Sequence, residues 1–209
     1  MSNETKNNEV SNDSKQEKLS PEKWNELINA VHHNGLVALR ATFAEVAGRV
    51  WNHEVFGPMF IFAVKDDAND VYECGFFLQE LVKLFQSDNN PSVWMASFFV
   101  ELMKTKGGKA LPKPPANEDE TKAIIDHQIC APCIAAVKEE FAPEQVHAGL
   151  QWIPEHGAVF ETGFPSIREG NNVCAFSLDL LIMHVLLNRD PSELPLQGLY
   201  TIRKEHGLD

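Results

Sequence analysis

Residues 1–19 contain only Met1, Val10 and Leu19 as sizeable apolar side chains, scattered among Asn, Ser, Lys and Glu. Such a stretch buries too little surface to offset the entropy of ordering, so a disordered tail is expected over 1–19. Ser20-Pro21-Glu22 then reads as a helix start. Serine caps, proline has its φ preset for the first turn, and the acid meets the positive end of the dipole. Trp24, Leu27, Ile28 and Val31 follow at i, i+3, i+4 and i+7, one face of a helix. Gly35 is a natural stop. Beyond it Leu36, Leu39, Phe43, Val46 and Val50 recur at helical spacing, so the pattern predicts a helical hairpin from 21 to about 52.

Gly57-Pro58 breaks that pattern, and Met59 to Val64 is a short continuous apolar run, the sign of a buried strand. A polar turn over 65–70 lets Val71 to Phe76 pair back as a hairpin, with a helix from about 77. Asn90-Pro91 opens another helix. Its stripe of Trp94, Met95, Phe98, Phe99 and Leu102 carries one charge, Glu101, between 92 and 103, which predicts deep burial or an interface. Gly107-Gly108 should end it, and the proline-rich stretch that follows reads as a stiff linker over 107–117.

Glu118-Asp119-Glu120 leads a new element, Ile134 to Phe141 has helical character, and scattered prolines keep the later elements short. Ser177 to Leu187 is apolar on nearly every face and should be a core helix. No internal repeat stands out. The expected fold is therefore α+β and helix-rich, with a short β-hairpin in the first half and small strands in the second. A helical domain over 20–106 and a second domain over 118–209 flank the linker, and the two can pack as one.

Length and composition narrow the class. The 209 residues are 44% hydrophobic, enough for a core without disulfide staples, and four cysteines make no disulfide framework. No apolar run reaches the roughly 18 residues of a membrane span. The polar start, Met-Ser-Asn-Glu-Thr, has no apolar core of a secretory signal. A soluble, cytoplasmic protein with reduced thiols is expected. The formal charge of −12 opposes binding to nucleic acid or to an anionic membrane face, and suits a basic partner. Lys104, Lys106, Lys109 and Lys113 form one basic patch, but Met103 and Ala110 depart from the phosphate-loop pattern, so a solvated loop is expected.

The densest cluster of reactive groups is His127-Gln-Ile-Cys130-Ala-Pro132-Cys133. His127, Cys130 and Cys133 are candidate ligands for a structural zinc ion. A fourth would have to come from Cys74, His147, Cys174 or His184, since no zinc-finger spacing and no second Cys pair is present. The same tetrapeptide resembles the active site of the thioredoxin family. The resemblance implies a strand over Ala123 to Asp126, a helix N-terminus at the pair and a proline turn at Phe164-Pro165-Ser166. Cys130 would then be the nucleophile and Cys133 the resolving thiol of a thiol–disulfide oxidoreductase. The plain alternative is that both are small buried hydrophobes. His184, inside an apolar helix, suits a core histidine, and His32-His33 suit capping of a helix C-terminus.

No complete catalytic constellation emerges, so the leading expectation is a non-catalytic binding or assembly protein. It would hold a protein partner, or a second copy of itself, through Trp94, Phe98 and Phe99 or through its acidic surface. The oxidoreductase is the alternative. Deleting residues 1–19 should move the melting temperature by less than about 5 °C, which in a chain of this length corresponds to over a kcal/mol. A larger drop in a thermal melt would show that the tail packs.

Overall fold

The computed structural model describes residues 19–105, 110–167, 170 and 172–208. The expected tail, apart from Leu19, lies outside the described residues, as does Gly107-Gly108. The first helix, α1, spans Pro21–Arg40, and Lys23 N donates to Ser20 Oγ at 3.3 Å as the sequence predicts. It runs straight through Gly35. A Cβ at that position would sit 2.4 Å from the Phe62 ring. The glycine therefore permits a close approach, at a cost of about 1 kcal/mol of helix propensity, and does not end the helix. His32 lies mid-helix, stacked on Phe60 and Phe62 with centroids 6.4 and 5.8 Å away, and caps nothing.

The predicted second helix of the hairpin is absent. Val46–His53 is a strand, β1, which pairs antiparallel with β2, Gly57–Lys65, which in turn pairs with β3, Val71–Phe77. The predicted hairpin of 59–64 with 71–76 is thus present as two strands of a three-stranded meander. Helices α2, Leu78–Gln86, and α3, Pro91–Lys104, complete the unit, the latter capped by Asn90 Oδ1 accepting from Ser92 N at 2.9 Å. One sheet face, carrying Phe60, Phe62, Val64, Tyr72, Cys74 and Phe76, packs against α1, α2 and α3.

The same order then recurs. A helical run covers α4, Glu118–Ile124, a π-helical turn, Ile125–Cys130, and α5, Ala131–Glu140. Residues 123–126 are therefore helical, not a strand. Asn117 caps the run and three acids occupy its first turn. Pro132 has no N–H for the helical ladder, and the widened π turn just before it is where the run accommodates that loss. A second meander follows, β4 His147–Ile153, β5 Gly157–Gly163 and β6 Val173–Ser177, then α6, Leu178–Leu186, and α7, Glu193–Glu205. The strand registers are identical at a spacing of 100. Phe60 faces Phe76 as Phe160 faces Phe176, and His53 faces Gly57 as Ile153 faces Gly157. Gly57 and Gly157 both hold positive φ, 70° and 73°, at the hairpin exit. The chain is two copies of one α-β-β-β-α-α unit, a repeat the sequence reading misses. The α+β class holds. Among the described residues no helix is long and apolar enough to cross a membrane.

The copies join through α6, buried on two sides as its all-round apolarity predicts. Leu178, Leu181 and Val185 pack into the core of their own repeat with Phe160. Met183, Leu186 and Leu187 pack onto the other face of the first sheet, against Met59, Ile61 and Phe77. Gly75 N donates to Leu187 O at 2.9 Å, and a Cβ on Gly75 would lie 2.2 Å from Leu187 Cδ2. Asn188, in the left-handed region with φ 55°, donates to Glu73 O at 2.8 Å and to Ala110 O at 3.2 Å. Leu111 N donates to Glu73 Oε2, so the chain leaving the proposed linker is tied to the same strand. Leu187→Ala should cost about 2–5 kcal/mol in urea unfolding. Gly75→Ala should cost less in that background than in the wild type, because most of the Leu187 atoms a new methyl would meet are gone. Equal costs in the two backgrounds would refute this account of the contact.

Candidate functional site

The polar centre of the molecule is Arg189, one residue past the Asn188 turn. Its side chain is 2% exposed. Nη1 and Nη2 donate to the Glu80 carboxylate at 3.2 and 3.4 Å, and Nη2 donates to Glu193 Oε2 at 3.0 Å. Glu80 belongs to the first repeat and Glu193 to the second, so the guanidinium bridges the two. Its Cζ lies 3.9 Å from the centroid of the Phe98 ring and near Phe76 and Trp94. Burial disfavours the Arg189 charge, but Glu80 and Glu193 outweigh it and hold the cation above its ordinary pKa. Burial raises Glu193 against the pull of Arg189. Removing one partner of such a set strands buried charge and costs about 3–5 kcal/mol.

His184 is 2% exposed and tilts against Phe77, with ring centroids 5.3 Å apart. Burial, reinforced by Arg189, pushes its pKa down to about 3, and Nδ1 has no protein partner. The ring is neutral at ordinary pH.

Two clefts flank Phe98. One, of about 610 Å³, is lined by Trp94, Phe98, His184, Arg189, Glu80 and Glu193 together with Lys83, Leu194 and several small polar residues. The other, of about 650 Å³, is lined by Phe98, Leu102, Val185 and Pro112, with Glu101, Asp190 and Glu193 as acids. The Trp94 and Phe98 rings meet edge to face with centroids 4.7 Å apart and remain half-buried. Phe99 does not share that accessibility. It is fully buried with Met95 in the first repeat's core. The apolar stripe of α3 thus divides into a core row and a row that borders the clefts.

The cysteine segment lies elsewhere. Cys133 is fully buried beside Ile129, Phe160 and Leu181, Cys130 is half-buried and His127 is exposed. Cys130 and Cys133 are one turn apart inside a continuous helical run, so no free helix N-terminus lowers either thiol. Burial raises Cys133 to about 12, and burial with Asp126 raises Cys130. Those directions oppose a nucleophilic thiolate. The Phe164-Pro165 turn packs Phe164 with Phe141 and Leu199, a different cluster from that of Cys133. Among the described residues no three His, Cys, Asp or Glu side chains converge to hold a metal, at His127, Cys130 and Cys133 or elsewhere. Cys74 and Cys174 are raised by burial to about 12 and 11, the first fully buried in the core and the second half-buried against the Phe164 cluster.

Comparison with protein-family models, with curated proteins and with solved structures gives no match. The site therefore stands on its own chemistry. Sequence reasoning missed Arg189. The available signal was a lone arginine between an all-apolar helix and Asp190-Pro191-Ser192, which repeats Asn90-Pro91-Ser92 a hundred positions on.

His184 yields a pH prediction. The unfolded chain takes up this proton near 6.5, but the folded chain resists it down to about 3. The unfolded state thus binds more protons as pH falls, and stability is lost from about 6.5 downward. Replacing His184 by Leu, the residue at position 84 of the first repeat, should remove about 2 kcal/mol of the loss between pH 7.5 and 5. Urea midpoints at both pH values would measure it, and an unchanged pH slope would overturn the assignment.

Proposed function

We propose that this is a non-catalytic binding protein whose ligand is an exposed polypeptide segment carrying an aromatic or aliphatic side chain next to lysine or arginine. The reading rests on one observation. The half-buried Trp94–Phe98 pair stands between two clefts whose acids are Glu80, Glu101, Asp190 and Glu193. Lys83 and the already paired Arg189 are the cations there, so the surroundings are net acidic, like the chain at −12. Aromatic walls supply contact area at low entropic cost, and the acidic rim steers a basic partner and sets its orientation. The titratable groups are tied down. Arg189 is held by two carboxylates and His184 is neutral far below the pH at which a general base works. That suits recognition more than proton transfer.

Panning a random-peptide display library against the immobilised full-length chain tests the proposal. Selected sequences should be enriched in Lys or Arg beside Leu, Phe or Trp. A synthetic peptide from that set should bind at least about tenfold more weakly to Ser97→Arg or Glu101→Lys, which change exposed positions on α3. Its affinity should fall as salt rises. Enrichment of acidic sequences, no enrichment, or binding indifferent to both substitutions would overturn the reading.

A further inference from the structure

We infer that β4 is a self-pairing edge, through which two copies of the chain form a twofold dimer with a continuous six-stranded sheet. An open sheet edge carries unpaired N–H and C=O groups and is normally blunted by charge, cover or shortness. Three of the four edges here are managed. On β1, Arg49 sits mid-strand and pairs with Glu73 at 3.2 Å. The β3 edge receives Leu187 O and the Asn188 amide. The β6 edge is only five residues long. On the β4 edge such a device is confined to the first residue, His147, which lies 3.3 Å from Glu161. Ala148 to Ile153 carries no charge on a chain that is 23% charged. Among the described residues no backbone group outside the sheet bonds to its free side.

The side chains on that edge favour a partner. Leu150 and Trp152 lie two apart on one face and are 45% and 73% exposed. At the corresponding place in the first repeat, Asn52 stands where Trp152 does and Arg49 where Gly149 does. The two edges thus differ, with a charge at position 49 of the first and an exposed tryptophan at position 152 of the second.

A second copy is favoured over an unrelated strand because β4 is complementary to itself in one register. Antiparallel pairing about Gln151 sets Leu150 opposite Trp152 of the partner copy, twice, on the same face. The strand ends at Ile153, before the turn of Pro154, Glu155 and His156, so the paired stretch from Gly149 to Ile153 is uncharged. A molecule of net charge −12 that associates with itself must do so where its own carboxylates are absent, and this stretch meets that condition. One strand pair with two tryptophans is a small interface, so association should appear between about 1 µM and 1 mM protein.

Sedimentation equilibrium of the full-length chain over that range should show a reversible monomer–dimer equilibrium. Trp152→Lys, at an exposed position, should shift it at least about tenfold towards monomer while circular dichroism stays unchanged. Gln151→Cys places two thiols across the twofold axis at about 4.5–5.5 Å between Cα atoms, within disulfide reach. Mild oxidation should therefore cross-link that variant as a dimer and leave the wild type uncross-linked. A monomer at the highest concentration, a dimer indifferent to Trp152→Lys, or a Gln151→Cys variant that cross-links no faster than wild type would each overturn the proposal.

Discussion

The arrangement of this molecule depends on a helix that is apolar on nearly every face. Leu178 to Leu186 cannot be satisfied by one layer of cover, because Leu181 and Val185 face one way while Met183 and Leu186 face another. The helix must lie between two sheets, and only the first repeat can supply the second one. That requirement fixes which face of the first sheet is covered and sets Gly75 beneath Leu187. It also brings the end of the helix, with Asn188 and Arg189, into the first repeat, where Glu73 and Glu80 already stand. Burial of apolar surface drives the contact. The asparagine and arginine then admit one geometry, since each would otherwise be buried without partners.

How much of this was legible follows from the range of each signal. Ser20 and Asn90 announce their helices because capping is local, and Met59 to Val64 announces a strand because it is buried on both faces. The first strand was hidden. Val46 and Val50 fall at a helical spacing from Phe43 and Leu39, and Gly35 imitates a terminator while serving a ring 27 positions away. Gly157–Gly163 has no apolar run to mark it, only Ala-Val-Phe before a glutamate. The duplication was written in the chain at a fixed spacing, in Gly57 and Gly157, Phe60 and Phe160, Cys74 and Cys174, Phe76 and Phe176, Leu81 and Leu181. These are scattered single residues, and they connect only once the strand registers are known.

The site was less legible than the fold for the same reason. Arg189 is defined by Glu80, 109 positions earlier, and by aromatic rings that the first repeat uses for its own core. The cysteine pair, by contrast, is conspicuous because its members are neighbours in sequence. Its surroundings raise both thiols, so the local motif and the three-dimensional environment point in opposite directions. Of the aromatic residues on α3, helical spacing identified the stripe, but only the packing of the first repeat's core separated Phe99 from the half-buried Trp94 and Phe98.

The contact between the repeats joins unlike surfaces, the end of a helix from one unit to the face of a sheet from the other. Such a joint does not close on itself. A third unit added by the same rule would accept a fourth, and the product would be a filament. The chain carries its own terminator. Where the second unit has Met183, Leu186 and Leu187, the first has Lys83, Gln86 and Ser87, all exposed. Where the first sheet offers Ile61 to the docking helix, the second offers Glu161. Neither outer end can repeat the inner joint, because the two units differ at the positions where a further copy would dock.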